Sequence, residues 1–154
     1  MTAIKPGAMV PKLTLATTGG TLRVPPGSGE HLVLYFYPRD NTPGCTAEGS
    51  DFSDLAPAFK RLNTRILGVS TDSLDSHGRF RDKMKFPFEL GSDEDHSVAT
   101  AFGVWKQKNM YGRKMMGIER STFLIDAQGV LRREWRKVRV PGHAAEVLAA
   151  VREL

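Results

Sequence analysis

Residues 31–48 read "HLVLYFYPRDNTPGCTAE", and the change of pattern inside this stretch decides the architecture. His31 to Tyr37 is a continuous run of apolar, β-branched and aromatic residues, the pattern of a strand buried on both faces of a central sheet. Pro38 ends it. From Thr42 the period changes: Ala47, Phe52, Leu55, Phe59 and Leu62 recur at roughly helical spacing, which predicts a helix from about Pro43 to Leu62 with a kink or break at Pro57. "RILGVST" (65–71) is a second buried strand, so the span is a βαβ unit whose crossover should be right-handed.

Outward from this unit, "KLTLA" (12–16) and "TLRV" (21–24) alternate around the turn signal "TTGG" and predict an N-terminal hairpin. "PPGSGE" (25–30) reads as a loop. "SLDSHGRFRDKM" (73–84) is a short polar helix capped by Ser73 or Asp75, followed by extended "FPFEL" (86–90). "SDEDHSVATAFGV" (92–104) predicts another helix with acids in its first turn, where they suit the dipole. "STFLID" (121–126) and "VLRREWRKV" (130–138) flank the turn "AQG" as an edge hairpin, and "GHAAEVLAAVREL" (142–154) closes the chain as an amphipathic helix. The class is α/β, a central mixed sheet flanked by helices, with antiparallel strands from both ends of the sequence.

The chain has 154 residues and 40% hydrophobic content, which suits a single domain over 1–154 with one ordinary core. One cysteine excludes an intrachain disulfide, a CxxC dithiol and a structural zinc knuckle, and suits a reducing compartment. Residues 1–30 are interrupted by Lys5, Pro6, Pro11, Gly19, Gly20, Pro25 and Pro26, so no signal-peptide core is expected there, and no segment reaches transmembrane length. The expected compartment is the cytoplasm, with no membrane association. A formal charge of +5 favours anionic partners, but it is spread along the chain, so a solvated surface is expected rather than nucleic-acid binding.

The single cysteine, Cys45, occupies the junction between the first buried strand and its helix. Thr42 is a good N-cap residue and Pro43 the type favoured at the first helical position, which makes Cys45 the third residue of the first turn. Helix amides there point outward without partners, and a thiolate would accept their hydrogen bonds and face the positive end of the dipole. Ligands bind open α/β sheets at this carboxyl edge. A buried cysteine packing the joint is the competing reading, weakened by Gly44, Thr46 and Glu48, which are poor material for an apolar pocket.

"PRDNTPGC" (38–45) resembles the Pro-x-x-x-Thr-x-x-Cys signature of the peroxiredoxins, and "FYPRDNTPGCTAE" is particularly similar to the bacterioferritin-comigratory, or peroxiredoxin Q, branch. "LGVSTDS", "FPFELGSDED", "AFGVW" and "ERSTFLIDAQG" follow in the family's order, so the resemblance covers nearly the whole chain. It implies a thioredoxin-like fold and a thiol peroxidase, without cofactor or metal, in which Cys45 attacks a peroxide. The matching residues are Thr42, to orient the peroxide; Pro38, to cover the thiolate; and Arg120, to stabilise thiolate and transition state. Amides near Gly44 and Cys45 complete the substrate site. Glu48 also fits the pattern, although an exposed helix residue at i,i+3 accounts for it equally well. The resolving cysteine that many members carry five residues on is here Ser50, and "RFRDKM" (79–84), where others carry it, lacks one. Two accounts stand at this point: a one-cysteine enzyme recycled by an external thiol such as thioredoxin, a glutaredoxin or glutathione, or a cysteine replaced by design at Ser50, which is isosteric with it; the resemblance also implies a monomer.

Other functions fit less well. A cysteine hydrolase needs a histidine by Cys45, and His31, His77, His96 and His143 lie in no recognisable hydrolase context. No HxxxH or Cys/His pairing suggests a metal. The Gly-rich turns lack the Lys-Ser or Lys-Thr of a phosphate loop. The non-enzymatic alternative is a binding or chaperone-like module using "WKQKNMYGRKMMGIER" (105–120), a basic, methionine-rich loop. Its plainer reading is a solvated loop whose methionines fold over the rim of the site.

Overall fold

The structure is a computed structural model that describes residues 3–27 and 29–154. The long apolar run becomes β3 (His31–Phe36), and "RILGVST" becomes part of β4 (Thr64–Ser70), which pairs with it in parallel. Between them runs α1 (Pro43–Arg61). The expected N-terminal hairpin is β1 (Leu13–Thr17) with β2 (Gly20–Val24). Ser28, in the loop that follows, lies outside the described residues. With β5 (Glu89–Ser92), β8 (Ser121–Ile125) and β9 (Leu131–Trp135), these strands form a seven-stranded sheet in the order β2-β1-β5-β4-β3-β8-β9. β3, β4 and β5 are parallel, and the pairs that flank them are antiparallel.

β3 lies inside the sheet, between β4 and β8, and its alternation sorts the core into two layers. Val33, Tyr35 and Tyr37 join Phe52 and Phe59 of α1, Phe80 of α2 (Leu74–Met84) and Val147 and Leu148 of α4 (His143–Val151). Leu32, Leu34 and Phe36 face the other way, toward Val98 and Ala99 of α3 (Ser97–Ala101), Phe102 and Phe123. Both faces of the strand are therefore dry, as its unbroken apolar run requires. Burying a Phe such as Phe52, stacked at 4.8 Å on Tyr35, contributes roughly 1.5–3 kcal/mol.

Three expectations are corrected. α1 continues through Pro57 instead of breaking there; Phe52 and Phe59 on either side are fully buried, and that packing outweighs the lost backbone bond. The helix expected over 92–104 is only five residues, and its acids precede it: Asp93 accepts from the amides of Val98 and Ala99 at 3.1 and 2.8 Å and so starts the helix from outside. Residues 105–118 are a hairpin and not a loop: β6 (Trp105–Met110) pairs with β7 (Arg113–Ile118) as a separate two-stranded sheet. Among the described residues no helix is long and apolar enough to cross a membrane.

Candidate active site

α1 begins where β3 ends, after the segment Tyr37–Thr42, and this puts Cys45 at the carboxyl edge of the sheet. That segment is fixed by a buried polar network. Tyr37 donates its hydroxyl to Asp40 Oδ1 at 2.6 Å, and Ser76 donates to Oδ2 at 2.8 Å. His77 Nδ1 lies 2.7 Å from Oδ2 and its Nε2 lies 2.8 Å from the Gly91 carbonyl, so each ring nitrogen faces an acceptor. The Asp40 amide donates to Asp72 Oδ2 at 2.9 Å. Burial works against the Asp40 charge, but the bonds from His77 and Tyr37 and the nearby imidazole overcome it and hold its carboxyl below the usual range. Asp40, Asp72 and His77 bring ligand-type atoms together, yet each already has a hydrogen-bond partner.

Thr42 occupies the N-cap position with extended dihedrals, and Pro43 follows it as expected. Its side chain, however, caps nothing: the hydroxyl donates back to the Arg39 carbonyl at 3.1 Å. The amides of the first turn are thus left without that cap, open to another acceptor. Pro38 is half-buried at the end of β3.

Cys45 is 2% exposed and belongs to the core layer of Tyr35 and Phe52. The expectation that the residues around it make no apolar pocket is corrected, because the layer it joins is built from β3, α2, α4 and later residues of α1 rather than from Gly44, Thr46 and Glu48. Its sulfur is not an ordinary core thiol, since Arg120 Nη2 donates to Sγ at 3.3 Å. The same guanidinium gives Nη1 to Glu48 Oε1 at 2.6 Å. Arg120 lies 75 residues from Cys45 in the chain, at the end of the segment that follows β7, and is brought in because β8 lies beside β3. Burial opposes the arginine's charge, but Glu48 and Cys45 outweigh it, so it stays cationic. Gly44 leaves room for it: a Cβ there would sit 3.1 Å from Arg120 Nη2.

Of the two readings of Glu48, site residue or exposed helix residue, the second is corrected. The residue is 1% exposed rather than on the helix surface, and its Oε2 has no hydrogen-bond partner among the described residues. Burial pushes its pKa up to about 7, against the pull of Arg120. The folded value lies above the ordinary carboxylate value of 4.5, so the stabilisation from protonated Glu48 is complete below about pH 4.5 and is lost as pH rises through about 7. Glu48→Gln is expected to remove this loss, seen as a flatter stability-against-pH curve in urea melts between pH 5 and 8. His143 contributes with the opposite sign. Burial lowers it from 6.5 to about 4, so its contribution is present above 6.5 and lost as pH falls through 4.

None of the four histidines bonds the sulfur among the described residues. His31 accepts from the Ala127 amide, His77 belongs to the Asp40 network, His96 stacks on Trp105 at 4.4 Å, and His143 meets Thr122 at 2.8 Å. Ser50 is half-buried in α1. Lys108 was not expected near the site. Burial first, and then Arg120, hold its ammonium below the usual range, while Glu119 and Cys45 oppose them. The hairpin that carries it turns at Tyr111-Gly112, both with positive φ, and of the two only Gly112 is a turn residue by type.

The chain's similarities agree with this geometry. A family model described as "AhpC/TSA family" matches residues 6–134. Peroxiredoxin Bcp of Bacillus subtilis is 47% identical over 152 residues, covering 98% of this chain and 97% of that protein. Peroxiredoxin Bcp of Xanthomonas campestris is 52% identical over 143 residues, covering 91% and 88%. A solved structure of the bacterioferritin comigratory protein of X. campestris, described with its alkyl peroxide reduction activity, superposes with a TM-score of 0.87 at 49% identity, covering 92% of this chain and 90% of that one. A cysteine-to-serine mutant of PrxQ from Xylella fastidiosa superposes with a TM-score of 0.93 at 41% identity, covering 99% and 98%.

Proposed function

Since the chain belongs to the AhpC/TSA family and has the thioredoxin-like fold of the Bcp peroxiredoxins, we propose that it is a peroxidase that reduces hydrogen peroxide and organic hydroperoxides through Cys45 alone. The observation that carries this reading is the Arg120 fork, which holds the only cysteine's sulfur at 3.3 Å and the buried Glu48 carboxylate at 2.6 Å.

In the reaction, the Cys45 thiolate attacks the distal oxygen of the peroxide along the O–O axis. The S–O bond forms as the O–O bond breaks, and the departing alkoxide or hydroxide takes a proton to leave as alcohol or water. Arg120 favours the thiolate before attack and stabilises the negative charge as it moves from sulfur to the leaving oxygen. Uncapped amides around Gly44 and Cys45 are the neutral donors for that charge. The Thr42 hydroxyl, already giving its proton to Arg39, presents lone pairs that accept from the peroxide O–H and so orient it. Pro38 covers the thiolate without offering a donor that would compete. Glu48 does not touch the reacting atoms; it positions Arg120.

The product, a sulfenic acid, needs an external thiol, because no second cysteine exists in the chain. Thioredoxin, a glutaredoxin or glutathione fills that role, and the enzyme is taken to work as a cytoplasmic monomer with 1–154 as one domain.

The test is a single-turnover experiment. Reduced protein mixed with one equivalent of hydrogen peroxide should consume it far faster than free cysteine does and gain the mass of one oxygen on Cys45. Turnover should stop there until thiol is added, and excess peroxide should add further oxygens irreversibly. A thiol no faster than free cysteine would rule out the peroxidase reading.

A further inference from the structure

The β6–β7 hairpin stands apart from the main sheet, and it carries Met110, Tyr111, Met115 and Met116, four of the most exposed large apolar side chains (50, 99, 54 and 51%). Between Trp105 and Ile118 it holds Lys106, Lys108, Arg113 and Lys114 and no acid. Register divides these residues between two faces, since directly opposed residues of an antiparallel pair share a side. Lys106, Lys108 and Met110 oppose Gly117, Met115 and Arg113. The other face is anchored by Ile118, which is buried, and by Trp105, which packs on the core layer of Phe102. The Lys106–Met115 face therefore combines three cations with two methionines. It is tied to the site through the backbone: the Lys108 ammonium donates to the Ile118 carbonyl, two residues before Arg120, whose Nη2 meets Sγ at 3.3 Å.

We infer that this face is the docking surface for a protein thiol reductase of net negative charge, whose reactive thiol is bordered by carboxylates and apolar side chains, and that it recycles Cys45. The inference rests on the peroxidase reading above. Cys45 is 2% exposed, so a protein's thiol reaches the sulfur only if the first turn of α1 gives way. Such a partner needs a foothold outside the pocket, and the hairpin that leads into Arg120 supplies one. Methionine, tyrosine and arginine are typical of interface cores, and a cationic rim speeds the approach of an anionic partner. A second copy of this chain is disfavoured, because the chain carries +5 overall and two such faces would set like charges against each other. Chemically, the partner's thiolate attacks the sulfenic sulfur, an S–S bond forms as the S–O bond breaks, and hydroxide leaves as water with a proton. The partner's second thiolate then attacks its own sulfur in the mixed disulfide and releases the Cys45 thiolate.

The test uses the full chain with Cys45 converted to its thionitrobenzoate mixed disulfide, so that exchange is read by colour without any peroxide. Reduced thioredoxin and glutaredoxin of net negative charge should release the dye in a second-order reaction that slows steeply with added salt. Lys106→Glu combined with Arg113→Glu, both outside the catalytic group, should slow it about 10- to 100-fold at low salt and flatten the salt dependence. Release by uncharged dithiothreitol, and the rate of Cys45 oxidation by hydrogen peroxide, should not change. Equal exchange by variant and parent overturns the inference, as does the absence of reaction with either acidic reductase. An equal slowing with glutathione overturns it in favour of general attraction of small anions. Failure of Cys45 to react with peroxide would instead remove the peroxidase reading, with the exchange rates still readable.

Discussion

Cys45→Ser is expected to abolish peroxide consumption, a loss of at least about a thousandfold, while leaving the fold in place. A serine hydroxyl is not ionised near neutral pH and is a poor nucleophile toward an O–O bond, so neither Arg120 nor the helix amides have an anion to stabilise. Structural disturbance should be slight. Serine is close to cysteine in size, and its oxygen can accept the Arg120 Nη2 hydrogen bond that Sγ now takes at 3.3 Å. The measurement is the second-order rate of hydrogen peroxide removal, with a urea melt alongside. A binding or chaperone-like protein would lose nothing by this change, so retention of even a tenth of the activity would overturn the assignment of Cys45.

Arg120→Gln should lower the rate of Cys45 oxidation by about 10²- to 10³-fold, the usual cost of removing a donor aimed at developing charge. A second consequence separates this side chain from a surface charge at a strand end. Glu48 is 2% exposed at its side chain and would be left unpaired. Breaking a buried pair costs about 3–5 kcal/mol when the remaining charge has no escape. Glu48 does have one: with a pKa already near 7, it takes up a proton. The loss of stability should therefore be large at pH 8 and small at pH 5. Adding Glu48→Gln should restore stability at pH 8 without restoring the rate, because glutamine needs no counter-charge and supplies none to sulfur. A double variant with recovered activity would mean that Arg120 serves only the fold.

Which parts of the site were legible in the sequence follows from how local each signal is. The strand, the proline and the cysteine are read from neighbouring residues, and β3, Pro43 and the place of Cys45 in the first turn all appear as expected. Glu48 was open between surface and site because i,i+3 spacing fixes the face of a helix but not what lies against that face. Thr42 was expected to cap the helix, but a hydroxyl has several acceptors within reach, and Arg39 takes its proton. The hairpin over 105–118 was missed for the opposite reason to β3: most of its residues are exposed, so burial imposes no alternation of apolar and polar side chains on them.

By itself the sequence determined the order of elements, the layered α/β plan and the location of the one thiol at a helix start, because dihedral preference and apolar period act over a few residues. Only the tertiary structure decided that Arg120, 75 residues away, grips that thiol, that Glu48 is buried beside it with one oxygen unpartnered among the described residues, and that Lys108 of an otherwise solvated hairpin reaches the Ile118 carbonyl, two residues before Arg120. Those outcomes depend on β8 pairing beside β3 and on the desolvation that follows. Strand neighbours and dielectric environment are properties of the packed chain, with no trace in local spacing.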